Sequence, residues 1–94
     1  MRFEWDGRKE KTDIKKHGIS FDEASSAFYD ENAIQFFDPD HSQGEGRSIL
    51  LGISFKLRVL VVCHCSRKEE TVVRLISTRK ADRGDEKEYW RLRK

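Results

Sequence analysis

Ninety-four residues, 36% of them apolar and 38% charged, suffice for one domain spanning 1–94 with a small core, and are too few for two. The net charge of +2 hides a split: residues 1–46 carry six Lys/Arg against eleven Asp/Glu, and residues 47–94 carry thirteen against six. No run of about 18 apolar residues is present to span a membrane as a helix, and Met1-Arg2-Phe3-Glu4-Trp5-Asp6 lacks the apolar stretch of a secretory signal.

Arg2 to Trp5 alternates polar and aromatic residues and predicts a short first strand. Asp6 is a good N-cap for a helix reaching about Lys16, and Gly18 is placed to stop it. Lys15, Lys16 and His17 fall in its last turn, where cations complement the helix dipole. Ile14 is nearly its only apolar residue, so a shallow dock is expected. Ser20-Phe21-Asp22-Glu23 reads as a capping box with Ile19 and Ala24 as staple, opening a second helix to about Phe28. Four strands follow: Ala33–Phe37, Arg47–Ile53, Val59–Cys65 and Thr71–Thr78. Their short links suit an antiparallel meander. Val59, Val61, Cys63 and Cys65 should share one face of the third of these, and Leu60, Val62 and His64 the other. Cys63 and Cys65 are too close along one strand for an unstrained mutual disulfide, so a reduced, cytoplasmic protein is expected. In the last strand Val73, Leu75 and Ser77 should oppose Val72, Arg74 and Ile76. Asp82 and Asp85 cap a final short helix containing Tyr89, Trp90 and Leu92. The fold class is therefore α+β: an antiparallel sheet of four to five strands, two N-terminal helices and a short C-terminal helix.

The basic half coincides with most of the strands. Cations fixed on a rigid sheet attract phosphate; the alternative is a solvated surface with no ligand.

Several segments, in this order and spacing, are similar to the BrnT family of type II toxins: Phe3-Glu4-Trp5-Asp6, Lys16-His17-Gly18, Ser20-Phe21-Asp22-Glu23-Ala24, Asp38-Pro39-Asp40-His41-Ser42-Gln43-Gly44-Glu45-Gly46-Arg47, Gly52 with Ser54, Leu60-Val61-Val62 with His64 and Arg67, and Arg74-Leu75-Ile76-Ser77 with Arg79 and Ala81. The resemblance implies a RelE-like fold and a metal-independent endoribonuclease, with no cofactor, that inhibits translation and growth. It implies neutralisation by a BrnA-like antitoxin, a ribbon-helix-helix protein through which alone the complex, a dimer or heterotetramer, meets operator DNA. Gly7 stands where the family usually has Pro, Leu57 replaces a turn glycine, Cys65 replaces Thr, and Thr78 replaces Ala.

Cleaving RNA without a metal needs a base for the ribose 2′-OH, cations for the phosphorane and an acid for the leaving 5′-oxygen. Histidine and arginine suit those tasks. The preferred catalytic set is His64, Arg67, Arg74 and Arg79. Antiparallel pairing could bring Arg74 to the His64–Arg67 end and would leave Arg79 at the other. Lys16, His17 and Arg47 are candidate phosphate contacts, and Trp5 and Tyr89 candidate base-stacking residues. The bland alternatives are a hydrogen-bonded structural His64, edge arginines, and aromatics that pack the chain ends onto the sheet. Asp40, His41 and Glu45 could form a catalytic or metal group, although a self-bonded turn is the simpler reading. Cys63-His64-Cys65 has the wrong spacing and alternation for zinc, so no metal site is expected. A non-catalytic basic module for nucleic acid or an acidic protein is the rival function.

Overall fold

The computed structural model describes residues 1–38, 46–66 and 71–93. Its elements in chain order are β1 (Arg2–Glu4), α1 (Gly7–His17), α2 (Phe21–Ser26) with a 3-10 turn at Ala27–Tyr29, β2 (Ile34–Phe37), β3 (Arg47–Ile53), β4 (Val59–Ser66), β5 (Val72–Lys80) and α3 (Arg83–Leu92). One five-stranded sheet runs in the order β1-β5-β4-β3-β2. β2 to β5 form the expected antiparallel meander, while β1 joins parallel to β5 and makes the sheet mixed.

The helix ends follow the side chains available. Asp6 accepts from the Arg8 amide at 2.9 Å, and Gly18, at φ 69°, donates its amide to the Ile14 carbonyl. Ser20 Oγ accepts from the Glu23 amide at 3.1 Å, but the Glu23 carboxylate does not return to Ser20, so the expected reciprocal box is only half made. Instead it turns inward, accepts from Ser54 Oγ at 2.7 Å and takes both Nε and Nη2 of Arg58 at 2.7 and 2.6 Å. The fully reciprocal box is the Asp82/Asp85 pair that opens α3.

Each sheet face has its own core. Ile19, Phe21, Ala24 and Ala27 pack on Leu50, Leu60, Val62 and Leu75. Each large side chain in that set contributes about 1.5–3 kcal/mol relative to exposure. Gly52 is needed here, because a Cβ would come within 2.6 Å of the Ala27 carbonyl oxygen. On the other face Tyr89 of α3 packs with Leu51, Val59 and Val61.

α1 attaches by carboxylates rather than by apolar residues. Ile14 is exposed while Asp13 is buried. β1 ends at Glu4, opposite Arg74, and leaves the rest of β5 without a strand on that side. Asp13 fills the gap by accepting from the Thr78 amide at 2.9 Å, and Glu10 accepts from the Phe21 amide at 2.9 Å. Both acceptors satisfy backbone N–H groups that would otherwise be orphaned.

The opposed charges of the two halves meet at two ion pairs. Arg58 is paired with Glu23 and Arg74 with Glu4, each linking the basic half to the acidic one. The dipolar molecule implied by the linear sequence is therefore partly neutralised by folding.

Candidate functional site

Directly opposed residues in a sheet share a face. Arg47 pairs with Cys65, Cys65 with Arg74, and Arg74 with Glu4. These four make a transverse row on the α3 side of the sheet, at the end away from Tyr89. Neighbouring strands lie about 4.8 Å apart, so the Arg47 and Arg74 backbones are separated by about 10 Å, within reach of two long side chains converging on one phosphate. The next row is Phe36, Ile49, Cys63 and Ser77, followed by Ile34, Leu51, Val61 and Arg79. Tyr89 covers the apolar part of that last row, whereas Arg47, Ile49, Cys63, Arg74 and Ser77 remain half-buried.

Arg74 and Arg79 share this face because of an irregularity. Strict alternation from Arg74 would send Arg79 to the other side. The register shifts opposite Cys63/His64, where Ser77 pairs with Cys63 and Leu75 with His64, leaving Ile76 as an extra residue. The shift turns Arg79 onto the Arg74 side. The two remain about 13 Å apart along the strand. Arg74 donates to Glu4 Oε2 at 3.1 Å, in a pair whose side chains are both 37% exposed. Arg79 donates to Asp85 Oδ2 at 2.8 Å and to the Lys80 carbonyl, which ties it to the start of α3.

The other sequence candidates lie elsewhere. His64 is 1% exposed and points to the opposite face, with its ring edge-on to Phe28 at 4.8 Å. Its Nδ1 lies 3.3 Å from the Val62 carbonyl oxygen, a fit for the tautomer protonated there. Burial pushes the imidazole below its ordinary pKa, against a smaller upward pull from that hydrogen bond, so the ring is neutral near pH 7. The structure does not bring it to the arginines, and alternation along β4 is the reason. Tyr89 is fully buried, not presented for stacking; its hydroxyl donates to Asp30 at 2.5 Å. Burial, then that bond to a carboxylate, raises its pKa to about 12. Burial alone would raise the Asp30 pKa, but donors from Tyr89, Ile53 and Asn32 outweigh it and hold the carboxyl low. Trp5 packs edge-on to Phe21 and donates its indole N–H to Glu10. Lys16 and His17 are exposed at the end of α1, off this face. Arg67 and the Asp40/His41/Glu45 group lie outside the described residues.

Residues the sequence did not single out are the inward carboxylates Glu10, Asp13 and Asp30. The near absence of apolar residues in α1 was the available signal for Glu10 and Asp13; Asp30, which follows the 3-10 turn, carried none. Among the described residues no group of three or more His, Cys, Asp or Glu is placed to hold a metal, and Cys63 and Cys65 are free thiols. No helix among them is long and apolar enough to cross a membrane. A groove of 390 Å³ lined by Ser26, Tyr29, Asp30, Ile53, Ser54 and Phe55 lies at the opposite end of β3 from Arg47.

Residues 5–85 match the model of a family described as the ribonuclease toxin, BrnT, of type II toxin-antitoxin systems. The chain belongs to the BrnT family. Among solved structures it is similar to the Brucella abortus ribonuclease toxin BrnT, at 25% identity and a TM-score of 0.66, over 88% of this chain and 99% of that one. No curated protein matches it by sequence at a significant level. As a BrnT-family ribonuclease toxin of a type II system it has an antitoxin partner. The α+β architecture with its helices around a five-stranded sheet is that of the Brucella protein.

Proposed function

We propose that this BrnT protein is a metal-independent endoribonuclease acting in the cytoplasm, cutting RNA and so arresting translation and growth. The observation that carries the reading is the row of Arg47 and Arg74 flanking Cys65 on a half-exposed sheet face, with Arg79 on the same side. In the reaction the ribose 2′-oxygen bonds to the adjacent phosphorus, the bond to the 5′-oxygen breaks, and a 2′,3′-cyclic phosphate remains. The 2′-proton leaves and the 5′-oxygen gains one, so the step balances without an added reactant. Guanidinium groups fixed on the sheet stabilise the charge that builds on the phosphorane oxygens. The Arg74–Glu4 pair is solvent-accessible, and a surface pair of this kind is worth roughly 0–1 kcal/mol, so a phosphate can replace the carboxylate. Arg67 stays a candidate on sequence grounds. His64 is assigned to the core.

The antitoxin is proposed to be a BrnA-type ribbon-helix-helix protein whose acidic segment covers the same face and which carries the complex to operator DNA. Purified protein incubated with RNA in EDTA should leave fragments ending in a cyclic phosphate, and its expression without antitoxin should stop growth. Chelator-sensitive scission would contradict the mechanism. A second reading, a binding module without catalysis, is favoured by the engagement of Arg74 and Arg79 with carboxylates. It predicts salt-sensitive RNA binding and intact strands in the same assay.

A further inference from the structure

α1 turns its carboxylates inward and its cations outward. Glu10 accepts from the Trp5 indole and the Phe21 amide, and Asp13 from the Thr78 amide and Lys9. Arg8, Lys11, Thr12, Lys15 and Lys16 fall at the i, i+3, i+4, i+7, i+8 positions of the helix, one continuous stripe on the other side. All five are exposed. Among the described residues none of those four cations is held by a carboxylate. Arg58, Arg74, Arg79 and Arg91 are all so held.

The helix dipole accounts for only part of this stripe. Lys15 and Lys16 sit in the last turn, where a cation is favoured, but Arg8 and Lys11 lie toward the N-terminal end, where it is not. Like charges three and four residues apart also repel. Interleaved glutamates would relieve that repulsion, yet both acids within α1 serve to dock the helix instead. The outer face is therefore left with uncompensated positive charge over about 12 Å of helix, with successive cations about 1.5–6 Å apart along the axis.

We infer that this stripe grips the phosphodiester backbone of the RNA substrate, on an element separate from the arginine row. The identity of the polyanion rests on the ribonuclease reading above. A protein partner fits less well, because protein interfaces are depleted in lysine and centre on apolar side chains, and the stripe contains four cations and a threonine.

The test is fluorescence anisotropy of the full chain with a labelled 20-nucleotide RNA carrying 2′-O-methyl groups throughout, which cannot be cut by 2′-OH attack. Lys11→Gln/Lys15→Gln keeps good helix formers at two exposed positions. The slope of log affinity against log salt should fall by about 1.4 relative to wild type, about 0.7 for each lost phosphate contact on a single strand. Lys11→Arg/Lys15→Arg should restore it. Equal slopes for wild type and the glutamine variant overturn the inference, as does a wild-type chain that shows no salt-dependent binding. A variant that loses affinity for poly-L-glutamate but not for the RNA also overturns it, in favour of an acidic protein. Because the probe is uncleavable, the two readings fail separately. A reduced slope in the variant, beside a wild type that leaves ordinary RNA intact, refutes the nuclease and keeps the stripe.

Discussion

The two ends of one sheet face are built for different purposes from the same strands. At the closed end Leu51, Val59 and Val61 meet Tyr89, which is anchored through its hydroxyl to Asp30. At the open end, four to six residues along β3 and β4, the same inward-outward phase carries Arg47, Cys65 and Arg74. The closed end gains from apolar burial and a hydrogen bond from the buried Tyr89 hydroxyl to the half-buried Asp30 carboxylate. The open end gains almost nothing from its surface ion pair. Stability is therefore concentrated where α3 sits, and charge is available where it does not. Substitutions at the two ends should divide accordingly between folding and activity.

Tyr89→Ala should have the largest effect on folding, a loss of about 4 kcal/mol by urea titration, because it empties the centre of the closed end. A loss under about 1 kcal/mol would show that α3 contributes little and dissolve the contrast. Tyr89→Phe removes only the hydroxyl and should cost about 1.5 kcal/mol. It should also change the alkaline limb of the stability curve. The folded pKa of Tyr89 lies above its ordinary value, so the stabilisation is complete below about pH 10 and is lost as pH rises toward about 12. Wild type should lose stability across that window and the Phe variant should lose less of it.

His64→Leu sharpens the comparison between faces. The ring is neutral and buried, so an apolar replacement of similar size should cost less than about 1.5 kcal/mol. Its folded pKa is depressed, which means the wild-type chain loses stability as pH falls below about 6.5, toward and through the lower folded value. The variant should not show that loss, and it should still cleave RNA. A folded His64→Leu protein without activity would return the imidazole to the reaction. Arg79→Ala should have the smallest effect on folding, about 0.5 kcal/mol, since its pair with Asp85 is partly exposed.

Much of this architecture was legible in the sequence, for identifiable reasons. Asp6, Gly18, Ser20 and Asp82 mark helix ends through local backbone chemistry that does not depend on the rest of the fold. The alternation of β4 also placed Leu60, Val62 and His64 on one face, which is the physical basis of the burial of that histidine. The extra residue at Ile76 was not legible, because nothing in Val72–Lys80 announces a bulge that depends on the partner strand. The docking of α1 was equally hidden. Hydrophobic periodicity is blind to a helix whose inner face is Glu10 and Asp13 and whose partners are backbone amides of α2 and β5. Leu57 sits in the left-handed region at φ 61° and remains 85% exposed, so the turn between β3 and β4 carries a strained residue where a glycine would be relaxed.

The central claim is that guanidinium groups at the open end of the sheet stabilise the phosphorane without a metal. It is tested most directly by single-turnover RNA cleavage in EDTA, comparing wild type with Arg74→Ala at matched thermal stability. The account predicts cleavage by the wild type and a rate roughly 100-fold lower in the variant, with a stability loss of no more than about 1 kcal/mol. Equal rates for the two proteins, or a wild type that is inactive until a divalent ion is restored, would contradict it.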